Sequence, residues 1–248
     1  MPPDPRIGAR IVRLEEVTST IDVARRLARK GAEHGTVVIA DRQSAGRGRL
    51  GRSWCTLPGK SLAITAILRE KPGPDHLPLV GMTAALAVVN AARSRLGVRL
   101  QTKWPNDVVY RGRKVAGTLA ELSGNALLLS LGLNVNGREP DLPPEIRATA
   151  TTLQVIAGAP LDREALLAAV VAALDRQWGK LLRDPAALLR RWDRLDITRG
   201  AFVTITEGED LFIGTGLGVD PHGCLRVRLA DGRVLAFLAA DVALLHPP

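Results

Sequence analysis

The 248 residues suffice for one sizeable core and a small appendage, and a hydrophobic content of 46% is that of a globular protein. No apolar run approaches the ~20 residues needed to cross a bilayer, Met1-Pro2-Pro3-Asp4-Pro5-Arg6 has no apolar signal region, and Cys55 and Cys224 stand far apart with no histidine cluster, so a membrane span, a secretory leader and a structural zinc site are all unexpected and a cytoplasmic protein is the expectation. The net charge of +9 suits a nucleic acid, an acidic protein or an anionic small substrate, and does not separate them.

Residues 10–17 alternate polar and apolar side chains well enough for a first strand. Thr18-Ser19-Thr20 offers capping hydroxyls, and 22–30 is amphipathic at helical spacing until Gly31 stops it. Ser19 and Thr20 have a second reading, in which their hydroxyls line a site. Residues 35–41 form a buried strand that delivers a loop rich in glycine and arginine, and a further strand follows at 61–68. After the Pro72-Gly73-Pro74 turn, 76–96 is a long helix apolar on most faces. Lys103-Trp104-Pro105-Asn106-Asp107 is a turn pinned by its proline and its Asn-Asp pair. Strands at 108–110, 114–122 and 126–136 are joined through Arg111-Gly112-Arg113 and Ser123-Gly124-Asn125. A proline-rich loop at 140–144 precedes helices at 161–182 and 185–195. Antiparallel hairpins beside a few helices indicate an α+β domain, with a mixed, mainly antiparallel sheet. From Arg199 four short strands, punctuated by Gly208, Asp220-Pro221-His222-Gly223 and Asp231-Gly232, indicate a small β barrel. The expected division is 1–197 and 198–248.

The stretch from Gln43 to Trp54 carries the chemistry: Gly46, Gly48 and Gly51 alternate with Arg47, Arg49 and Arg52, and no acid occurs within it. Glycines let backbone N–H groups approach an anion, and guanidinium forks clamp carboxylate or phosphate oxygens. Three arginines without an acid among them repel, so the loop is expected to be mobile until an anion neutralises it. The Gly-x-Gly-x-x-Gly spacing is not a dinucleotide turn, because a strand rather than a helix follows it. It is not a kinase loop either, since no His-Arg-Asp or Asp-Phe-Gly follows. A disordered basic linker is the plain alternative, and the flanking strands and Trp54 argue against it.

This loop, the Lys103-Trp104-Pro105-Asn106-Asp107 turn, Lys114-Val115-Ala116-Gly117-Thr118-Leu119-Ala120-Glu121 and Gly132-Leu133-Asn134-Val135-Asn136 together resemble the biotin protein ligases, and the resemblance covers nearly the whole chain. It implies a biotin/lipoate-ligase catalytic domain with an SH3-like C-terminal domain. It also implies an enzyme that makes biotinyl-5′-AMP from biotin and ATP with Mg2+, and passes biotin to a lysine of a biotin carboxyl carrier protein. By the same resemblance Gly46, Arg47, Gly48 and Arg49 cover biotin and the acyl phosphate, with Gln43 at the ring or chain and Ser19 and Thr20 at the ureido ring. Lys114 bridges carboxylate and α-phosphate, with Lys103 as the rival lysine, and Gly117 lets its strand approach biotin. Arg52, Trp54, Asn106, Asp107, Asn134 and Asn136 are assigned to the adenylate side; for Asn106 and Asp107 adenylate contact, magnesium and lysine orientation stay open, and no magnesium ligand is named. Trp54 and Trp104 shield the ligand or belong to the core. One departure stands out: the family's Ser-Thr-Asn is Ser19-Thr20-Ile21 here, and isoleucine makes no hydrogen bond.

A lipoate ligase shares the expected fold but not this glycine-arginine signature. A nucleic-acid binder is disfavoured by an aromatic content of 3%, too low for a stacking platform. Only a proline-rich stub precedes Arg10, so no operator-binding winged helix and no nucleic-acid partner are expected. Exposed strand edges leave a homodimer as an expectation.

Overall fold

The structure, a computed structural model, describes residues 6–245. Met1 to Pro5, where no signal region or winged helix is expected, lie outside the described residues.

β1 (Arg10–Val17), α1 (Thr20–Arg29) and β2 (Thr36–Gln43) form a parallel β-α-β unit, with Val17 opposite Gln43. Parallel strands place the end of β2 beside the start of α1, so Gln43 meets Ser19 and Thr20 at one edge of the sheet. β3 (Ser61–Leu68) is buried along its whole length, as befits a central strand. α2 (Leu79–Leu96) follows a single-turn 3-10 segment at Pro74–His76, so the long apolar helix starts three residues later than its pattern suggests. Pro78 explains the offset, because proline suits a helix start and not its interior.

β4 (Gln101–Lys103), β5 (Asp107–Tyr110), β6 (Arg113–Ser123) and β7 (Ala126–Asn134) complete a seven-stranded sheet in the order β1-β2-β3-β7-β6-β5-β4. Every pairing in it except β1 with β2 is antiparallel. A short helix absent from the sequence reading, α3 (Leu153–Ala157), is capped by Thr152 Oγ1, which accepts from Val155 N at 3.2 Å. Its five residues are too few for a periodic signal. α4 (Arg163–Arg183) and α5 (Pro185–Asp193) start at Asp162 and Asp184, whose carboxylates accept backbone N–H groups of the first turns.

The two faces of the sheet differ. One packs on α1 through Ile21, Ala24, Val38, Ile67 and Leu128. The other carries Val37, Ile64, Leu129 and Leu131 into a larger core with α2 and α4. Sandwiched between sheet and α4, α2 is apolar all round.

β8 (Phe202–Glu207), β9 (Asp210–Val219), β10 (Leu225–Leu229), β11 (Val234–Phe237) and β12 (Asp241–Leu244) form a second antiparallel sheet, ordered β11-β10-β9-β8-β12. The four expected strands are present, and β12 is the fifth. Its Asp-Val-Ala-Leu is too short to stand out beside the preceding alanines. This sheet is tied to the first at the Lys103-Trp104 turn. Asp196 accepts from Trp104 N (3.1 Å), Thr198 N (3.1 Å), Thr198 Oγ1 (2.6 Å) and Trp192 Nε1 (3.3 Å), and Trp104 Nε1 donates to Gly223 O at 2.9 Å. Trp104, 1% exposed, is therefore a core residue that anchors the turn. Burial pushes the Asp196 carboxyl above its ordinary value, while these four donors pull it back.

Candidate active site

Strand polarity gathers the site at one edge of the large sheet. The end of β2, the start of α1, the start of β6 and the end of β7 all point there, and Gly117 of β6 pairs with both Asp107 of β5 and Gly132 of β7.

The glycine-arginine loop closes over this edge. Its stem is a bridge between Arg47 and Ser53, with Gly48 N donating to Arg52 O at 2.7 Å and Trp54 N to Gly46 O at 2.9 Å. Leu50 and Gly51 at its tip both have positive φ, 53° and 73°, which a leucine adopts only under constraint. A Cβ on Gly46 would stand 2.4 Å from Trp54 O and 2.9 Å from Gln43 Nε2, so glycine is required where the loop crosses Gln43. The arginines are not left to repel one another, as the loop's own composition suggests. Arg47 pairs with Asp22 of α1 at 2.6 Å, Arg52 pairs with Asp241 of β12, and Arg49 Nη1 donates to Asn106 Oδ1 at 3.4 Å. Asp22 and Asp241 are not among the sequence candidates: Asp22 only opens the amphipathic stretch 22–30, and Asp241 lies in another sheet.

Trp54 lines both cavities of the site. Its ring lies against the two glycines of the strand pair: a Cβ on Gly132 would stand 2.2 Å from Trp54 Cε2, and one on Gly117 would stand 3.3 Å from Cζ3. The smaller, of about 160 Å³, is reached by Ser19, Thr20, Ile21 and Gly117. The larger, of about 890 Å³, is reached by Gly46, Cys55, Asn134, Glu145 and Ala150, and Gln43 borders both. Arg52, Lys103, Asp107 and Lys114 border both. The backbone of Lys114 is bracketed by the 149–151 segment, with Lys114 N donating to Thr149 O at 2.7 Å and Thr151 N to Lys114 O at 2.8 Å. The sequence shows that segment only as a stretch after a proline-rich loop.

Lys114 Nζ sits 2.7 Å from Asp107 Oδ1 and 5.7 Å from the Trp54 ring centroid. The carboxylate oxygen is enclosed and accepts no hydrogen bond of good geometry, so the ion pair with this ammonium is what answers its charge. Lys103 is the more deeply placed lysine. Burial lowers its basicity first, and the nearby Lys114 lowers it further against the pull of Asp107. Around the small cavity, Arg47, Arg49, Arg52, Lys103 and Lys114 face Asp107 and Asp241, an excess of three positive charges among the described lining residues. Such a site attracts a polyanion and stabilises negative charge that builds beside it.

Of the sequence candidates, Ser19, Thr20, Gln43, Arg47, Gly48, Arg49, Arg52, Trp54, Asn106, Asp107, Lys114 and Gly117 line the small cavity, and Gly46 and Asn134 border the large one. Asn136 lines neither. Its carboxamide donates to Leu161 O and accepts from Leu161 N, both at 2.9 Å, and so ties down the loop before α4. Asn134 donates to Thr151 O at 3.2 Å. Asn106 donates to Thr118 O and faces Arg49 with its oxygen. Ser19 occupies the N-cap position of α1 but its hydroxyl caps nothing; it faces Gln43 Oε1 at 3.5 Å instead.

A model of the biotin/lipoate A/B protein ligase family matches residues 13–136, half of the chain and all of the large sheet except part of its first strand. The biotin–[acetyl-CoA-carboxylase] ligase of Paracoccus denitrificans is 32% identical over 234 residues, covering 89% of this chain and 95% of that protein. The ligase of the same description from Mycobacterium tuberculosis is 31% identical over 234 residues, covering 91% and 85%. The biotin protein ligase of Aquifex aeolicus, solved with biotin and ATP, superimposes with a TM-score of 0.84 at 29% identity, over 96% of this chain and 100% of that one. The likeness thus extends over both sheets and nearly the full length of these relatives, and the chain belongs to the biotin/lipoate A/B protein ligase family.

Proposed function

We propose that the protein is a biotin protein ligase, which activates biotin with Mg-ATP to biotinyl-5′-AMP and transfers the biotinyl group to one lysine of a biotin carboxyl carrier protein. The observation that carries the reading is the Lys114 ammonium, held at 2.7 Å by Asp107, with both residues lining the small and the large cavity alongside Trp54. In this reading biotin fills the small cavity, with Ser19, Thr20 and Gln43 at its ureido ring, and the adenylate lies in the large one near Asn134. The ligand turns around Trp54, so its carboxylate and the α-phosphate meet at Lys114, Arg47 and Arg49.

A biotin carboxylate oxygen attacks the α-phosphorus, the acyl–phosphate bond forms, and the bond to the β-phosphate breaks to release pyrophosphate with its Mg2+. Negative charge grows on the α-phosphoryl oxygens and on the departing pyrophosphate, where the excess of cations lowers the barrier. The neutral amine of the carrier lysine then attacks the acyl carbon. AMP leaves, the amide forms, and the amine's proton departs. Loop closure keeps water from the mixed anhydride between the two steps. Asp107 orients Lys114, which favours lysine orientation among its three candidate roles. Mg2+ enters with ATP; no cluster of three metal-ligating side chains occurs among the described residues.

The same reading places the enzyme in the cytoplasm without a nucleic-acid partner, divides it at 197/198 and pairs it as a homodimer through exposed sheet edges, which sedimentation tests. Incubation with biotin, Mg-ATP and a biotin carboxyl carrier domain, followed by mass measurement, should show one biotinyl group on the carrier. A carrier mass that never changes contradicts the reading.

A further inference from the structure

Behind the small cavity, four hydroxyls and a carboxamide form one hydrogen-bonded chain through the α1 face of the sheet. Ser130 of β7 and Thr65 of β3 are register partners, with their oxygens 2.8 Å apart. Thr65 Oγ1 is 2.9 Å from Thr20 Oγ1, which is 3.1 Å from Gln43 Oε1, and Gln43 Nε2 reaches Thr56 Oγ1 at 3.2 Å. Thr65 is fully buried, and Thr20, Thr56 and Ser130 are between 3% and 8% exposed. The residues around them on this face, Ile21, Val38, Ile67 and Leu128, are apolar. A valine in place of Thr65 would pack as well and bury no hydroxyl, so the hydroxyl needs a reason.

The proton order in this chain follows from one backbone group. Thr20 N–H donates to Gln43 Oε1 at 2.8 Å, which fixes the carboxamide with its oxygen toward α1. A hydroxyl has a single proton. The Thr20 hydroxyl facing that oxygen must therefore donate to it. Thr65, facing Thr20, must donate to Thr20, and Ser130 must donate to Thr65. Ser130 borders the cavity with its proton already engaged, so it offers the ligand lone pairs only. Gln43 offers the opposite: its oxygen is taken, and one Nε2–H remains beyond the one given to Thr56.

We propose that Ser130 is the acceptor for a ring N–H of a cyclic urea, and that Thr65 is a positioning residue that holds Ser130 in the accepting state. This rests on the reading of the small cavity as the biotin site and adds the side chain that reads the urea's donors. A cyclic urea presents a carbonyl acceptor flanked by two N–H donors, and Gln43 Nε2–H with Ser130 Oγ complements that pattern. Ser130 thereby supplies a polar contact on a wall where Ile21, in place of the family's asparagine, supplies none.

The test is calorimetric binding of biotin, with KM and kcat for pyrophosphate release, for the parent and for Ser130→Ala, Thr65→Val and Thr65→Ser. Loss of one neutral hydrogen bond weakens binding about five- to tenfold. Ser130→Ala and Thr65→Val should raise the Kd and KM for biotin by that factor and leave kcat and the KM for ATP unchanged. Thr65→Ser, which keeps the proton and loses a methyl, should bind biotin as the parent does. A purely packing role for Thr65 demands the reverse, since valine keeps the volume and serine leaves a void. A cyclic-carbamate analogue, with one ureido N–H replaced by oxygen, adds a second readout. One of its two regioisomers should bind the parent poorly and lose nothing further in Ser130→Ala. Biotin affinity within twofold of the parent in Ser130→Ala, or serine impaired and valine not at position 65, overturns this proposal alone. A parent that binds no biotin overturns the assignment of the cavity as well.

Discussion

Gly132→Ala is the most direct test of Trp54 as the wall between biotin and adenylate. The new Cβ would stand 2.2 Å from Trp54 Cε2, 2.5 Å from Nε1 and 2.6 Å from Cζ2, against ordinary carbon contacts of ~3.5–4.0 Å. Three ring atoms are overrun by about an ångström, so the whole indole must move. Gly132 has no positive φ, and alanine suits its backbone. The ring belongs to a surface loop rather than to the core, and the loop takes up the strain. Global stability should therefore change by less than about 1 kcal/mol. Overpacking of a fixed core would cost about 1–3 kcal/mol, and the same amount here falls on the closed loop and so on ligand binding, roughly a 5- to 150-fold rise in KM. Because Trp54 walls both cavities, the KM values for biotin and for ATP should rise together, read by pyrophosphate release. The refuting result is a variant of parental stability whose two KM values stay within twofold, which would mean that Trp54 is not the wall between the ligands. Gly117→Ala supplies the contrast. Its Cβ meets Lys114 Cε at 2.9 Å and Nζ at 3.0 Å, the mobile end of a side chain, so kcat should suffer more than either KM.

Lys114→Ala should lower adenylate formation by about 10²–10³ in a protein that still folds, with some loss of stability because the enclosed Asp107 carboxylate loses its ion pair; pyrophosphate release within a few-fold of the parent would move the role to Lys103. Limited trypsin digestion should cut first at Arg47, Arg49 or Arg52 without ligand, and biotin with ATP should slow that cut far more than ATP alone; Asp241→Asn should speed it by unpinning Arg52, and equal rates in all cases would remove the clamp. Asp196→Ala strands the donors of Trp104, Trp192 and Thr198 and should cost about 3 kcal/mol in denaturant unfolding; a shift under 1 kcal/mol would contradict its role as anchor. His34 Nδ1 accepts from the backbone of Arg69 (3.2 Å) and Glu70 (3.3 Å), and burial lowers its pKa below 6.5. The unfolded chain thus binds the proton more readily, so stability should hold above pH 6.5 and fall as the pH drops through the lower folded value; unfolding curves of His34→Phe should lack that component of the slope.

The amino-acid order alone settles much of this protein where local rules are strong. β3, buried on both faces, is a mostly apolar run carrying only Ser61 and Thr65 as polar residues, and β1 alternates well enough for a strand; both occupy the span their patterns mark. The loop from Gln43 to Trp54, the Asn-Asp turn and Lys114 are contiguous motifs, so they are visible before any folding is known. What the chain does not reveal by itself is who answers whom across distance. The acids that pair with Arg47 and Arg52 come from α1 and from β12, the latter 189 residues away, and short-range spacing carries no trace of them. Asn136 looks equivalent to Asn134 in the sequence, yet one turns to the loop before α4 and the other to the large cavity, because the strand ends between them. Thr65 and Ser130 read as two more β-prone residues in apolar strands. Only their antiparallel register, 65 residues apart, makes them a proton-ordered pair behind the site. Side-chain chemistry and local periodicity are written along the chain; polarity, register and charge partnership arise when the sheet forms, since they depend on which strands become neighbours.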